Sequence, residues 1–172
     1  MWIPPRRTDP RALAEEATDR ADIPLPELRL SPPVDVPQVV NLPTWLAIDP
    51  AQWRPVTSSA TAGGVTATAT AVPQSVTWSM GNGDRVTCAG PGTLYDPAGG
   101  ETAAPGCTYT FRRSSARAPG GRFLLEATVT WRVSWAASGA PGGGSLGTVT
   151  RTTSVPIQVA EIQALNISRR QA

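Results

Sequence analysis

The residues of this chain that could do chemistry are two cysteines and a few acidic side chains near them. Asp84, Asp96 and Glu101 lie beside or within the segment between Cys88 and Cys107. Glycoside hydrolysis requires only a pair of carboxylates, so the three acidic residues are a candidate catalytic set. Acidic residues are sparse and no supporting motif accompanies these three, so we interpret them as turn and solvating residues and expect no enzymatic activity.

Composition excludes several further classes of chemistry. The 172 residues contain no His, and all 15 basic residues are Arg. Histidine acid–base catalysis and histidine metal ligation are therefore excluded. The lack of Lys excludes a Walker A loop and Schiff-base catalysis. The net charge of +2 is too small to indicate a nucleic-acid partner. Arginine as the sole basic residue type indicates GC-rich coding, which is typical of actinobacteria.

Four arginines, Arg112, Arg113, Arg117 and Arg122, cluster around one predicted loop. A solvated basic face is the interpretation that such a cluster favours. A site for an anion or a phosphate group is the alternative.

The two cysteines are best explained as a disulfide. Two thiols cannot complete a tetrahedral zinc site, and a catalytic Cys would need a His partner. Closing the loop between Cys88 and Cys107 would stabilise the fold by about 3 kcal/mol. Disulfides persist in oxidising compartments, so the bond predicts an extracytoplasmic protein. The first residues lack the apolar core of a signal peptide. We therefore expect an exported portion of a chain, or a truncated or misassigned start.

The pattern of the sequence is that of a β protein. The chain has 16 Gly and 18 Pro, which separate short runs rich in β-branched residues. Strict alternation of apolar residues from Phe123 to Trp135 predicts a long strand. Residues 65–72 and 75–80 read as two further strands, and no apolar run is long enough to span a membrane. Seven to nine short strands predict an antiparallel sandwich.

This pattern divides the chain into four parts. Residues 1–24 form an N-terminal arm with a short helix, for which Asp9 is the expected N-cap. Residues 25–54 form a linker with edge strands that pack on the sandwich. The sandwich itself covers residues 55–165, and residues 166–172 are a C-terminal tail.

One stretch of sequence resembles a known family. The residues WSMGNG at 78–83 are similar to the W-x-F-G-D-G signature of the polycystic-kidney-disease (PKD) domain. The residues CTY at 107–109 stand where that family has H-T-Y, and residues 121–129 resemble the strand that follows. The arm and the disulfide also look like those of actinobacterial exported proteins with a PKD-like module.

The resemblance implies an immunoglobulin-like sandwich and a structural role for the motif residues. Trp78 would be a buried ring under the hairpin, Gly81 and Gly83 would form the turn, and Tyr109 would be a corner residue packed with Trp78. PKD-like modules generally act as spacers and as adhesion or recognition units. Some related domains bind calcium, and Asn82, Asp84 and Asp96 could supply oxygens. Asn82 replaces an aspartate of the signature, so we expect no tight calcium site.

Our leading expectation is a non-catalytic extracytoplasmic interaction or spacer module, without a cofactor, that binds a protein or a component of the cell envelope. The alternative is a carbohydrate-binding accessory module in which sugar rings stack on Trp45, Trp53 or Trp135.

Overall fold

The computed structural model describes residues 8–98 and 106–162. In this part of the chain, one α-helix and nine strands are joined by turns, which confirms the predicted β class. The helix, α1, spans Pro10–Asp19. The strands are β1 (Gln38–Val39), β2 (Pro43–Trp45), β3 (Val56–Ala62), β4 (Val65–Ser79), β5 (Arg85–Cys88), β6 (Thr108–Thr110), β7 (Phe123–Ser138), β8 (Gly143–Ile157) and β9 (Val159–Ala160).

Five of the strands form the main sheet, in the order β3-β4-β7-β8, with β5 paired to β4. Strands β2 and β6 pair antiparallel, and β1 pairs with β9 in parallel. The immunoglobulin-like and PKD-like sandwich stays a prediction, as does the division of the chain at residues 24, 54 and 165. Within the described residues, no helix has the length and apolarity that crossing a membrane requires.

Strand β4 corrects the expectation of two separate strands at 65–72 and 75–80. It is one strand of 15 residues. Its buried residues are odd-numbered from Val65 to Pro73 and even-numbered at Val76 and Trp78. The alternation of buried residues shifts by one position at Gln74 and Ser75, and the strand continues through this shift.

Strand β7 matches its predicted pattern and extends it. The five central apolar positions, Leu125, Ala127, Val129, Trp131 and Val133, are buried. The loop after β7 is short, because β7 runs to Ser138 and β8 begins at Gly143. Glycine can pair in a strand when the neighbouring hydrogen bonds hold it there, although its intrinsic strand preference is low.

The described fold divides into two compact units, and β4, β7 and β8 each contribute residues to both. The first unit contains α1 and the segments Arg54–Gln74 and Thr130–Thr150. Helix α1 begins at its predicted cap, where Asp9 Oδ1 accepts a hydrogen bond from the Arg11 amide at 3.0 Å. Leu13, Ala14 and Ala17 are buried, and the helix packs on β3. Leu13 is the one large apolar residue of the helix. The small side chains of Ala14 and Ala17 are buried as well, and small side chains let a helix approach a strand closely.

The second unit contains Leu25–Trp53, Ser75–Val129 and the chain from Arg151. Its core is made of large side chains, among which Trp78, Met80 and Phe111 are fully buried. Gln38 is buried with them, and its amide donates to the Pro32 carbonyl at 2.9 Å while its oxygen accepts from Thr44 Oγ1 at 3.0 Å. Because its polar atoms are satisfied, this buried amide orders the segment before β1.

The predicted disulfide between Cys88 and Cys107 is present. It joins the last residue of β5 to the residue before β6, and the two Cα atoms are 6.0 Å apart, a common separation for disulfides. The bond fixes the start of β6 relative to the β4–β5 hairpin.

The burial of Trp78 predicts a large loss of stability on truncation. Trp78 is 1% exposed, so Trp78→Ala should lower the free energy of unfolding by about 3–5 kcal/mol in urea denaturation. Leu124→Ala is the matched control, because Leu124 is 51% exposed. A loss below about 1 kcal/mol for Trp78→Ala would contradict its assignment to the core.

Candidate functional site

The turn between β4 and β5 contains the residues that resemble the PKD signature. Gly81 has φ +81°, and a Cβ added to it would lie 2.6 Å from both the amide nitrogen and the carbonyl oxygen of Leu124. Gly83 has φ +97°, but a Cβ there would meet open space. The two glycines thus have different roles: Gly81 allows β7 to approach the turn, and Gly83 supplies only its backbone conformation.

Three polar side chains of this turn and of β6 form one hydrogen-bonded group. The Asn82 side-chain amide donates to the Tyr109 hydroxyl at 2.9 Å, and that hydroxyl donates to Asp84 Oδ2. The Asp84 amide donates to Asn82 Oδ1 at 3.0 Å, which closes the turn. Burial raises the pKa of Tyr109, and its hydrogen bond to Asp84 raises it further. Tyr109 is therefore a neutral donor at physiological pH, and it cannot act as a base there.

The ring of Tyr109 packs edge-on against Phe111, with centroids 4.8 Å apart and an interplanar angle of 86°. Phe111 in turn stacks on Phe123, with centroids 5.9 Å apart and an angle of 11°. These rings hold the hydroxyl of Tyr109 in place. The structural roles expected of Trp78, Gly81, Gly83 and Tyr109 concern the stability of the fold and stay predictions. The geometry of the turn is compatible with them.

The arginine-rich loop after β6 is anchored by Ser115. This side chain is fully buried, and its hydroxyl donates to the Gly121 carbonyl at 2.7 Å and accepts from the Val159 amide at 2.8 Å. The Ser115 amide also donates to the Val159 carbonyl at 3.0 Å. The loop is therefore tied both to its own end and to β9, which limits the positions that its arginines can take.

The turn, β6 and this loop together line an open depression of about 770 Å³. We call it the arginine basin, and its polar lining comprises Asn82, Asp84, Tyr109, Arg112, Arg113, Ser114, Arg117 and Glu161. Of the four clustered arginines, only Arg122 does not line it. The volume is in the range of about 300–1,000 Å³ that is typical of small-molecule sites.

The charge of the basin comes from guanidinium groups that have few partners. Arg112 Nη1 donates to Asn41 Oδ1 at 3.3 Å. Arg113 and Arg117 form no side-chain hydrogen bond and no ion pair with the described residues. Both side chains are exposed. A planar guanidinium with unused donors matches carboxylate and phosphate oxygens in a two-point contact. The arrangement is suited to holding an oxyanion.

The acidic residues considered as a catalytic or calcium set are placed differently from one another. Asp84 lines the basin and accepts from Tyr109, whereas Asp96 Oδ1 accepts from the Ala98 amide at 2.9 Å within its own turn. Glu101 lies outside the described residues. Among the described residues, no three His, Cys, Asp or Glu side chains are grouped as metal ligands would be. The absence of a tight calcium site stays a prediction.

The three tryptophans considered as a sugar platform are each half-buried. The ring of Trp45 lies edge-on to Tyr95, with centroids 5.2 Å apart, in a groove of about 150 Å³. Trp53 directly follows a 3₁₀ turn at Pro50–Gln52. The six-membered ring of Trp135 lies against Gly142, where a Cβ would be 2.6 Å from it. Trp135 is therefore covered by the hairpin loop, and Trp45 is the ring whose surroundings best fit a ligand.

Several residues of the basin were missed by sequence reasoning. Asn41, which holds Arg112, is distant in sequence, and Glu161 lines the basin from beyond β9. Ser115 is one of two adjacent serines in a polar loop, and such a residue gives no sign of burial. The arginine cluster itself was visible in the sequence, but its concave arrangement depends on long-range pairing.

Comparison with known proteins gives no further identification. No family model, curated protein or solved structure matches the chain.

The different surroundings of the two turn glycines predict different effects of the same substitution. Gly83→Ala should cost about 1–2 kcal/mol, because only the positive φ is strained. Gly81→Ala should cost at least about 1 kcal/mol more, because the methyl group also collides with the backbone of Leu124. Urea denaturation of the two variants measures the difference. Equal losses would show that β7 does not approach Gly81 as described.

Proposed function

We propose that this chain is a non-catalytic interaction module that acts outside the cytoplasm and binds another protein or a component of the cell envelope. The observation that supports binding most directly is the arginine basin, where Arg113 and Arg117 present guanidinium groups without partners among the described residues. Exposed charges on an anchored loop can contact a partner directly, because the backbone of the loop needs little further ordering on binding.

The chemistry of the basin supports binding over catalysis. Guanidinium groups do not lose protons at physiological pH, and the raised pKa of Tyr109 keeps its hydroxyl neutral. The chain contains no His that could transfer protons between these groups. A general acid or base would need a pKa near the working pH, and the groups named above do not provide one.

The disulfide supports the proposed location. Such bonds persist in secreted and surface proteins and are rare in the cytosol. Cys88 and Cys107 cross-link the elements that carry Asp84 and Tyr109, so an oxidising compartment would keep the basin assembled.

The proposal predicts specific retention on material from the cell envelope. The purified chain should co-sediment with insoluble envelope polymer from the source organism, or bind to an immobilised envelope-protein fraction. The double variant Arg113→Gln/Arg117→Gln should lose most of this retention, because it removes the two guanidinium groups without partners.

The matched control is Arg54→Gln/Arg132→Gln, which removes the same charge from exposed positions outside the basin lining. It should be retained like the unmodified chain. Trp45→Ala separates the carbohydrate-module alternative, since loss of retention in this variant alone would favour stacking on Trp45. Retention of the unmodified chain by neither fraction would contradict the interaction function.

A further inference from the structure

The lining of the arginine basin is chemically mixed, and this mixture limits the ligands that it suits. The lining contains three guanidinium groups and two carboxylates, those of Asp84 and Glu161, so its net charge is +1. An extended polyanion would place negative groups near both carboxylates, and like charges in contact are unfavourable. The basin therefore suits a ligand with one oxyanion and with neutral polar groups beside it.

The groups of the basin that suit an oxyanion are the guanidinium groups of the loop arginines. Arg112 is held by Asn41, and the loop that bears Arg113 and Arg117 is anchored through Ser115. Asn41 thus orients the Arg112 guanidinium, and the anchored loop fixes the backbone from which Arg113 and Arg117 extend. A carboxylate and a phosphate ester both present the paired oxygens that guanidinium groups recognise.

Other residues of the lining offer groups that match hydroxyls. Asp84 Oδ2 accepts from Tyr109, which leaves Oδ1 available as an acceptor, and Asn82 Nδ2 uses one of its two hydrogens on the Tyr109 hydroxyl. A free carboxylate oxygen is a strong acceptor for a neutral O–H donor. Vicinal hydroxyls could therefore pair with Asp84 and Asn82 together.

Apart from Ser114, the remaining lining is apolar. Phe123, Ala116 and Ala118 complete the depression, and Phe123 is fixed by stacking on Phe111. A flat ring next to hydrogen-bonding groups suits a molecule that has both C–H surface and hydroxyls. Sugars have both.

We propose that the arginine basin binds a sugar that bears an oxyanion, either a carboxylate or a phosphate ester, as part of an envelope polysaccharide. This inference rests on the proposed function, because it names the component that the module would bind. The oxyanion contacts Arg113 and Arg117, the hydroxyls contact Asp84 and Asn82, and the C–H face lies near Phe123.

The test is an NMR titration of the isotopically labelled full chain at low ionic strength with four probes. These are glucuronate, a glucose phosphate ester, glucose and inorganic phosphate. At least one of the two acidic sugars should bind about tenfold more tightly than glucose and than inorganic phosphate, and the preferred one identifies the oxyanion. Equal binding of inorganic phosphate would overturn the sugar assignment, and equal binding of glucose would overturn the oxyanion assignment.

Variants locate the binding. Arg113→Gln and Arg117→Gln should each raise the Kd of the preferred acidic sugar by about tenfold, and the exposed control Arg132→Gln should change it by less than about twofold. Unchanged affinity in both basin variants would overturn the proposal. If no acidic sugar binds while retention on envelope material persists, the ligand class is wrong and the interaction function stands. If neither acidic-sugar binding nor retention on envelope material is observed, the ligand class and the interaction function are both contradicted.

Discussion

The site of this protein depends on one close approach between two pieces of backbone. Gly81 lies so near Leu124 that no side chain fits between them. This contact places the β4–β5 turn beside the start of β7, and Phe123 comes with it. Asn82 and Asp84 of the turn then reach Tyr109 on β6, and the disulfide holds β6 at the distance that these hydrogen bonds require. A larger residue at position 81 would move the whole polar group.

The second constraint is the anchored loop. Loops bear function because the scaffold around them is rigid, and Ser115 supplies that rigidity here through three hydrogen bonds to β9 and to the end of the loop. Arg112, Arg113 and Arg117 thereby line the same depression as the Tyr109 group. Because the loop is already anchored, binding does not have to order its backbone. The anchoring therefore supports the proposed function.

The sequence predicted the local features well, because they depend on local chemistry. The alternation of β7, the Asp9 cap and the disulfide follow from periodicity or from residue type, and the burial of Trp78 was implied by the resemblance of the turn to the PKD signature. The continuity of β4 was missed because the alternation of buried residues inverts at Gln74 and Ser75, and an inversion in the sequence pattern looks like the end of a strand. The arginines were recognised as a cluster, but their meeting with Asn82, Asp84 and Tyr109 depends on pairing between distant strands. Asn41 and Ser115 gave no sequence signal at all.

Arginine footprinting tests the central claim, that the basin is where the module meets its partner. The chain would be treated with an arginine-modifying dicarbonyl reagent, alone and with bound envelope material, and each arginine would be quantified by mass spectrometry. The account predicts that Arg113 and Arg117 are protected by the partner while the exposed Arg54 and Arg132 stay reactive. Full reactivity of Arg113 and Arg117 in the bound state would contradict it.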